Sequence, residues 1–499
     1  MRRERARAID VGDNAGDDAT TAHARTLART NTRENKHERD HPGARTHHAD
    51  VLLLTSTFPR DDDDVAGRFL CDLARALPLR MALLVPDDVR ARRAAPPLGM
   101  QRELFANHGL FYGDGALGNF RSGRCGHLRA ALTLTRMLGA TLRASRRAPV
   151  LWSHWAVPAG VAGALCRRWR GVRHVLSLHS GDVWWLEQSR AGPAIAHFVA
   201  RNSDAILAPT DQLAERFAAL SGRRPEVLSC GVLDLLRPRA PRDPGGPLRL
   251  GAMCRLAPGK GLRRLLAAWP GAGAGAGAGA SAGAGATATS AGAAQREARS
   301  GNGPSARPDV LPGTQPHARS ALQLEIAGDG PLAGELAALA RALPGVRLVG
   351  ALSGSHKARW LARQDAFVAP YGSTPWGQRE GLPVALLEAL SAGLPVLAYA
   401  HSSPDGPLRH GHNALLAPDD QPGALLELAR RLPRDEPLHA RLAGAARASA
   451  LPFLHERLIP RWRELLSPGT SPSPAPGTAP GTAPGTLASP LPDAIPPAL

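Results

Sequence analysis

Two glutamates stand eight positions apart in the segment 380–398, which reads EGLPVALLEALSAGLPVLA. Glu380 lies just before a predicted helix and Glu388 lies inside it. Carboxylates accept hydrogen bonds from hydroxyl groups such as those of a sugar. The backbone N–H groups of Gly381 and Leu382 lie at the positive end of the predicted helix dipole, which suits a bound phosphate. The segment therefore offers hydrogen-bond acceptors for hydroxyl groups beside hydrogen-bond donors for a diphosphate. A nucleotide sugar presents both hydroxyl groups and a diphosphate.

A turn, a short helix and a strand must hold these groups in place. Pro383 fits the first helical turn, because the N–H that proline lacks would have no partner there. Gly393 falls where a helix is commonly closed by a residue with positive φ. The apolar run Pro395–Tyr399 then predicts a buried strand.

The pair Glu380 and Glu388, with GLP between them and SAGLPV after, resembles the donor signature of the family 4 glycosyltransferases. The resemblance implies a retaining enzyme of the GT-B type, with two Rossmann-like domains facing each other across a cleft. It also implies that Glu388 accepts hydrogen bonds from ribose hydroxyls and that Glu380 fixes the transferred sugar. The alternative is an ordinary capped helix that leads into a strand.

Composition limits the class of protein and its partners. The 499 residues fit two or three domains, and the net charge of +18 indicates an anionic partner: nucleic acid, a membrane face or phosphorylated substrates. Five cysteines without paired spacing predict neither a zinc site nor a disulfide framework, which fits a reducing cytosol. No run approaches the ~20 apolar residues of a membrane helix, and no apolar secretory stretch begins the chain. We expect a cytoplasmic protein, soluble or peripheral on the inner face of the plasma membrane.

Short apolar runs alternate with helical stretches along most of the chain, which predicts βαβ units and doubly wound sheets. The predicted fold is α/β, with two Rossmann-like domains. The predicted strands are Leu52–Ser56, Met81–Val85, Val150–Ser153, Val175–His179 and Ala205–Pro209, then Leu248–Ala252, Leu322–Ala327, Val346–Gly350, Ala366–Pro370 and Pro395–Tyr399.

Composition shifts divide the chain into segments. Polar ends and a Gly-Ala repeat predict disorder, because such sequences cannot bury enough apolar surface to offset ordering entropy. The predicted segments are a disordered extension (1–49), an N-terminal acceptor domain (50–235), a hinge (236–247), a C-terminal donor domain (248–452) with a low-complexity insertion (270–318), a terminal helix crossing back to the first domain (453–466) and a disordered Pro-rich tail (467–499).

The loop after the first predicted strand should border a ligand cleft, because ligands bind beyond the carboxyl ends of strands in open α/β sheets. Gly67 opens the next helix there and lets the backbone approach a phosphate or an acceptor closely. The run Asp61–Asp64 contains the Asp-x-Asp spacing of metal-dependent transferases. Its position after the first strand favours a solvated acidic loop, so we expect no metal ion and no other cofactor.

Two histidines follow predicted strands of the first domain. The sequence HWAVPAG, which begins at His154, resembles a segment of polysaccharide-assembling members of the family and places His154 near the acceptor or diphosphate. His179 matches the family's strand-end histidine, which implies contact with the sugar near the reacting carbon, and a histidine there can also carry a proton. The Ser-Gly-Asp after it departs from the family order and leaves Asp182 without an assigned role. A purely structural histidine is the alternative at both positions.

The second domain opens with LRLGAMCRLAPGKGL, which resembles the family's first strand, loop and helix. Arg255 and Lys260 match the two cations that face the donor in this family. They would neutralise the negative charge that grows on the diphosphate as the nucleoside diphosphate leaves the sugar. The sequence IAGDGP, with Gly328 and Gly330, matches the turn whose backbone borders the nucleotide base. Its glycines could equally serve the turn alone.

A predicted amphipathic helix at 126–147 repeats arginine every seven residues, at Arg129, Arg136 and Arg143, beside several leucines. Such a face suits an anionic membrane surface or simply solvent.

These features predict transfer of a sugar from a nucleoside diphosphate sugar to a hydroxyl acceptor, a glycan or lipid-linked precursor in cell-envelope or exopolysaccharide biosynthesis. A nucleotide-sugar epimerase or a sugar phosphorylase on the same fold is an alternative. A non-catalytic protein that binds anions or nucleic acid is another alternative. The sequence carries no nucleic-acid-binding motif, however, and we do not expect nucleic acid to bind.

Overall fold

The computed structural model describes residues 49–469, except for 63, 98–99, 114, 122, 124–125, 239–245, 271–321, 373–379, 403–405, 419–420, 422 and 433–435. The predicted N-terminal extension up to residue 48, the insertion from residue 271 and the tail from residue 470 lie outside the described residues.

The first half of the chain is a parallel sheet covered by helices. Its elements are β1 (Val51–Leu54), α1 (Arg68–Ala76), β2 (Met81–Pro86), α2 (Val89–Arg93), β3 (Met100–Phe105), α3 (Gly115–Arg121), α4 (His127–Ala144), β4 (Val150–His154), α5 (Val161–Arg170), β5 (Arg173–Ser177), α6 (Ser180–Gln188), α7 (Gly192–Arg201), β6 (Ala205–Ala208), α8 (Asp211–Ser221) and β7 (Glu226–Val227). The strands lie in the order β3-β2-β1-β4-β5-β6-β7, with a Rossmann-type reversal between β1 and β4.

The second half repeats this plan with six parallel strands. Its elements are β8 (Leu248–Met253), α9 (Leu262–Ala267), β9 (Leu322–Ala327), α10 (Ala333–Arg341), β10 (Val346–Gly350), α11 (Gly354–Ala362), β11 (Ala366–Ala369), α12 (Val384–Ser391), β12 (Val396–Tyr399), β13 (Ala414–Ala417), α13 (Ala424–Arg431), α14 (Glu436–Ala450) and α15 (His455–Leu466). The strand order is β10-β9-β8-β11-β12-β13.

The central strands are largely apolar because helices cover both faces of each sheet. All four residues of β1 are buried, and β1 pairs with β4 from Val51 opposite Val150 to Leu54 opposite Ser153. Continuous apolar runs of this kind are typical of parallel sheets. The predicted α/β fold with two doubly wound sheets is confirmed.

Three strands escaped prediction, and all three lie at sheet edges: β3, β7 and β13. The sequence of β3, MQRELF, carries charged residues at its centre, where the strand is only partly buried. An edge strand has a neighbour on one side only, so its sequence need not be a continuous apolar run. The strand β7 has only two residues, too few for a pattern to emerge, and β13 is an apolar run of four residues that was not assigned.

The last described helix, α15, ends the second half in sequence but packs on the sheet of the first half. Trp462, Leu465 and Leu466 lie in the same buried cluster as Val51 and the other core residues of the first sheet. The indole N–H of Trp462 donates to the carbonyl of Ser229 at 3.0 Å.

The chain enters the second half earlier than the predicted hinge. Leu235, which we assigned to the first domain, is buried with core residues of the second half such as Leu386. The side chain of Ser391 in α12 donates to the carbonyl of Leu233, which fixes the segment there. Part of the predicted hinge, 239–245, lies outside the described residues.

Replacing Trp462 by alanine should lower the free energy of unfolding by about 3–5 kcal/mol, because a fully buried indole and its hydrogen bond are lost. Urea unfolding followed by circular dichroism measures the change. Leu451→Ala is the matched control, since Leu451 is exposed just before α15 and should change stability by less than about 0.5 kcal/mol. Equal stability of both variants would contradict the docking of α15.

Candidate functional site

The carboxyl ends of strands from both sheets border one cavity of about 980 Å³. The loops after β1 and β5 reach it from the first half, and the loops after β8 and β9 and the start of α12 reach it from the second. Of the predicted site residues, all except His154 line this cavity: Gly67, His179, Arg255, Lys260, Gly328, Gly330, Glu380, Gly381, Leu382 and Glu388.

The two halves touch where the turn before α12 meets the start of α6. A Cβ atom on Gly381 would lie 3.1 Å from Cβ of Ser180, closer than ordinary van der Waals contact. Since Ser180 follows His179 directly, this contact brings His179 and Glu380 to the same side of the cavity. Pro383 is the residue that precedes α12, one position earlier than predicted, and Gly393 closes the helix with φ +73° as expected.

Lys260 and Glu380 form an ion pair in the cavity. The Nζ atom of Lys260 donates to Oε1 of Glu380 at 2.6 Å, and each side chain is about a quarter exposed. The same ammonium lies 5.5 Å from the ring centroid of Tyr371, a distance that allows a cation–π contact. Arg255, in the same loop after β8, is exposed and adds a second positive charge to the lining.

The turn after β9 packs closely on that loop. The backbone N–H of Leu256 donates to the carbonyl of Asp329 at 2.9 Å. Gly328 has φ +141°, and a Cβ atom there would lie 1.9 Å from the carbonyl oxygen of Cys254. Glycine is therefore required at Gly328 by packing alone, whether or not a nucleotide base binds beside it.

Glu388 has a partner that sequence reasoning missed. Lys357 on α11 donates from Nζ to Oε1 of Glu388, and both residues are buried and line the cavity. Burial lowers the pKa of Lys357, but the carboxylates of Glu388 and Asp72 outweigh it, so the pKa ends above its usual value. The sequence offered little signal for this pair, because a single lysine between two predicted strands is weak evidence for a site.

His179 is held by two aromatic neighbours from β4 and its following turn. Its ring stacks on Trp155 with centroids 4.4 Å apart, and its Nε2 lies 3.1 Å from Nδ1 of His154. Burial lowers the pKa of His179 to about 3, so the ring is neutral at physiological pH. His154 is fully buried behind it and is not among the residues that line the cavity, so its place near the acceptor or diphosphate stays a prediction.

Asp182 caps α6 and fixes the backbone on which His179 stands. Its Oδ1 accepts from the backbone N–H of His179 at 3.0 Å, and its Oδ2 accepts from that of Ala156 at 2.5 Å. Burial raises the pKa of Asp182 to about 7, although the backbone donors oppose this rise. The carboxyl group of Asp182 holds the backbone at His179 and Ala156 in place. Asp182 is not among the residues that line the cavity.

Gly67 lines the cavity near the acidic run. Gly67 has φ +69°, and a Cβ atom there would lie 2.6 Å from the carbonyl oxygen of Thr57. Asp61 and Asp64 form ion pairs with Arg90 and Arg60, each at 2.6 Å, and Asp64 is buried, so these two carboxylates are paired with arginines. Within the described residues, no three His, Cys, Asp or Glu side chains are grouped to hold a metal ion.

Two family descriptions match the chain, one in each half. Residues 66–233 match Glycosyltransferase Family 4, and residues 308–435 match Glycosyl transferases group 1. Together they include most of the residues around the cavity.

Two characterised relatives share shorter stretches. The amylovoran biosynthesis glycosyltransferase AmsK of Erwinia amylovora is 36% identical over 103 residues, which are 21% of this chain and 25% of that protein. An exopolysaccharide phosphotransferase of Streptomyces coelicolor is 31% identical over 149 residues, 29% of this chain and 15% of that protein. The matched stretches thus span a quarter or less of the relatives' own lengths.

Solved structures match over nearly the whole fold. Anabaena HepE in complex with UDP superposes with a TM-score of 0.57 at 16% identity, covering 84% of this chain and 99% of HepE. Sucrose-phosphate synthase from Thermosynechococcus elongatus also gives 0.57 at 16% identity, covering 83% and 98%. With both family descriptions matched and the two-sheet architecture shared, the chain belongs to the family 4 glycosyltransferases (glycosyl transferases group 1) and has the GT-B fold.

Proposed function

We propose that the protein is a retaining, metal-independent glycosyltransferase that moves a sugar from a nucleoside diphosphate sugar to a hydroxyl acceptor. One observation carries the proposal: two cations, two glutamates and a neutral histidine, contributed by both halves, line a single cavity. A nucleoside diphosphate sugar carries the complementary groups, a dianionic diphosphate, a ribose and a sugar rich in hydroxyl groups.

The donor lies along the second half in this proposal. Arg255 and Lys260 hold the diphosphate together with the backbone N–H groups of Gly381 and Leu382, which precede α12. Glu388 accepts hydrogen bonds from the ribose, and the base lies beside the turn that contains Gly328 and Gly330. Glu380 fixes the transferred sugar, and its pairing with Lys260 keeps the carboxylate next to the diphosphate.

The reaction exchanges one bond at the anomeric carbon for another on the same face of the sugar. The bond from that carbon to the diphosphate oxygen breaks with its electron pair, and the acceptor oxygen forms the new bond. The acceptor proton passes to the departing diphosphate oxygen. The positive charge of Arg255 and Lys260 stabilises the negative charge that grows there. His179 is neutral at neutral pH because burial lowers its pKa. In this proposal the neutral ring forms a hydrogen bond with the sugar near the reacting carbon.

The acceptor is proposed to be a glycan or lipid-linked precursor in cell-envelope or exopolysaccharide synthesis at the inner face of the plasma membrane. The likeness to a protein of amylovoran biosynthesis supports this class. Gly67, on the wall formed by the first half, borders the space between the diphosphate and the acceptor. UDP-glucose is the first donor to test, because it is bound in a solved structure of HepE.

Screening UDP, GDP, ADP and their glucose conjugates by thermal shift should find one nucleotide that raises the unfolding midpoint, since ligand that binds only the folded state stabilises it. With that donor and cell-envelope glycans as acceptors, Lys260→Ala should release nucleoside diphosphate about 10²-fold more slowly. Arg263→Ala is the matched control, because Arg263 is exposed on α9 and pairs with Glu335 outside the cavity.

Normal rates in Lys260→Ala would place the donor site elsewhere. Nuclear magnetic resonance of the product separates the rival enzymes: a new glycosidic bond with the donor's anomeric configuration supports retaining transfer. A free epimerised nucleotide sugar or a sugar phosphate would support the epimerase or the phosphorylase instead. Tight binding of nucleic acid without binding of any nucleotide sugar would favour the non-catalytic alternative.

Transfer should survive an excess of EDTA, because protein cations rather than a divalent ion meet the leaving-group charge. The same assay after chelation measures this. A loss of rate that Mg²⁺ or Mn²⁺ restores would contradict metal independence and direct attention to Asp61 and Asp64.

Peripheral membrane contact is proposed for the exposed face of α4. Leu128 is 83% exposed and Leu132 is 40% exposed, beside the exposed Arg129 and Arg136. Leu138, in contrast, packs partly against the core of the first half. Exposed leucines beside arginines fit the interface of a bilayer with anionic headgroups. None of the described helices is both long and apolar enough to cross a membrane.

The double variant Leu128→Ser/Leu132→Ser should lose sedimentation with vesicles that contain phosphatidylglycerol, because it removes the apolar part of this face. Vesicles of phosphatidylcholine alone should bind the wild-type protein weakly, and added salt should weaken binding to anionic vesicles. Leu339→Ser is the control, since Leu339 is 40% exposed on α10 of the other half. Unchanged sedimentation of the double variant would refute the contact.

A further inference from the structure

Lys357 is a charged residue on the face of α11 that packs into the protein. The buried positions of this helix are Lys357, Ala358, Trp360 and Leu361, so the ammonium occupies a place where an apolar side chain would otherwise pack. A buried charge is unfavourable unless it is paired. Its presence here therefore requires a specific partner.

That partner is Glu388. The side chain of Lys357 is 7% exposed and that of Glu388 is 12% exposed, and the ammonium donates to Oε1. Among the described residues, no other side-chain hydrogen bond to Glu388 is present, so Oε2 is left for the cavity that Glu388 lines. The contact fixes which carboxylate oxygen is available to a ligand.

Charges from the first half also act on Lys357. Asp72 on α1 raises the pKa of Lys357, whereas Arg68 on the same helix lowers it, and both effects are smaller than that of Glu388. The pKa of Lys357 remains above its usual value despite burial. The ammonium therefore stays charged at neutral pH, beside Glu388.

We propose that Lys357 is a positioning residue for donor recognition: it orients the buried carboxylate of Glu388 so that the free oxygen accepts a hydrogen bond from a ribose hydroxyl. This inference rests on the proposed function, in which Glu388 contacts the ribose. Lys357 thus selects ribonucleotides over deoxyribonucleotides without touching the sugar ring itself. In the proposed function the phosphates are bound by Arg255 and Lys260, which lie on the separate loop after β8.

The test compares affinities for a ribonucleoside diphosphate and its 2′-deoxy and 3′-deoxy counterparts, using whichever of UDP, GDP and ADP most stabilises the wild-type protein. Calorimetric titration should show that the wild-type protein binds at least one deoxy form about tenfold or more weakly, since a hydrogen bond to a charged group is lost. In Lys357→Met the ratio of the ribonucleotide affinity to the deoxyribonucleotide affinity should fall to within about threefold, whereas Lys357→Arg should largely keep this ratio. A lysine with a purely structural role would change the affinities for all three nucleotides together and leave the ratio intact.

Arg359→Met is the matched control, because Arg359 is exposed on the same helix, and it should keep the wild-type ratio. Removing one member of a buried ion pair can destabilise the fold, so the double variant Lys357→Met/Glu388→Gln, which removes both charges of the pair, accompanies the single variants. Glu388→Gln should lower the ratio, and adding Lys357→Met to it should change the ratio no further.

The possible failures are distinguishable. If the ratio falls in Glu388→Gln but stays at the wild-type value in Lys357→Met, or if the double variant differs from Glu388→Gln, the positioning role is overturned while the proposed donor site stands. If the wild-type protein shows no preference for the ribose hydroxyls, or Glu388→Gln keeps it, the ribose role of Glu388 is overturned and the inference with it.

Discussion

The cleft depends on a close approach of two helix starts from opposite halves. At Gly381 the absence of a side chain lets the turn before α12 lie against Ser180 at the start of α6. This contact brings two residues of the site close together, because His179 immediately precedes Ser180 and Glu380 immediately precedes Gly381. The parallel strands of each sheet direct their carboxyl ends to this region, so residues from distant parts of the sequence converge.

Electrostatic pairing then decides how the converged groups are presented. Each glutamate of the 380–388 segment has a lysine partner, Lys260 for Glu380 and Lys357 for Glu388. The two pairs differ in exposure, since the first is about a quarter exposed and the second is nearly buried. Solvent can therefore replace the first partner at small cost, while the second pair is held by its surroundings. In the proposed function, the more exposed pair contacts the sugar and diphosphate, and the nearly buried pair contacts the ribose.

Most of the architecture was readable from the sequence because buried parallel strands carry continuous apolar runs and their loops carry glycines. The segment from Glu380 to Ala398 was also readable, since turn, helix and strand each left a local signal. Pairing between distant residues left none: nothing in the local sequence tied Lys357 to Glu388 or placed His154 behind His179. Local patterns also could not show that Leu235 belongs to the core of the second half, because the assignment of a lone leucine depends on what it packs against.

The packing of α15 on the first sheet has a consequence for how the chain is made. The last strand of that sheet ends at Val227, but Trp462, Leu465 and Leu466 complete its buried cluster. On a ribosome that adds ~5–20 residues per second, the missing helix emerges on the order of 10–50 s after the sheet itself. During that interval the surface of the first sheet that will receive α15 is uncovered. Translation, rather than the formation of either sheet, therefore sets the earliest moment at which the N-terminal half can reach its final packing.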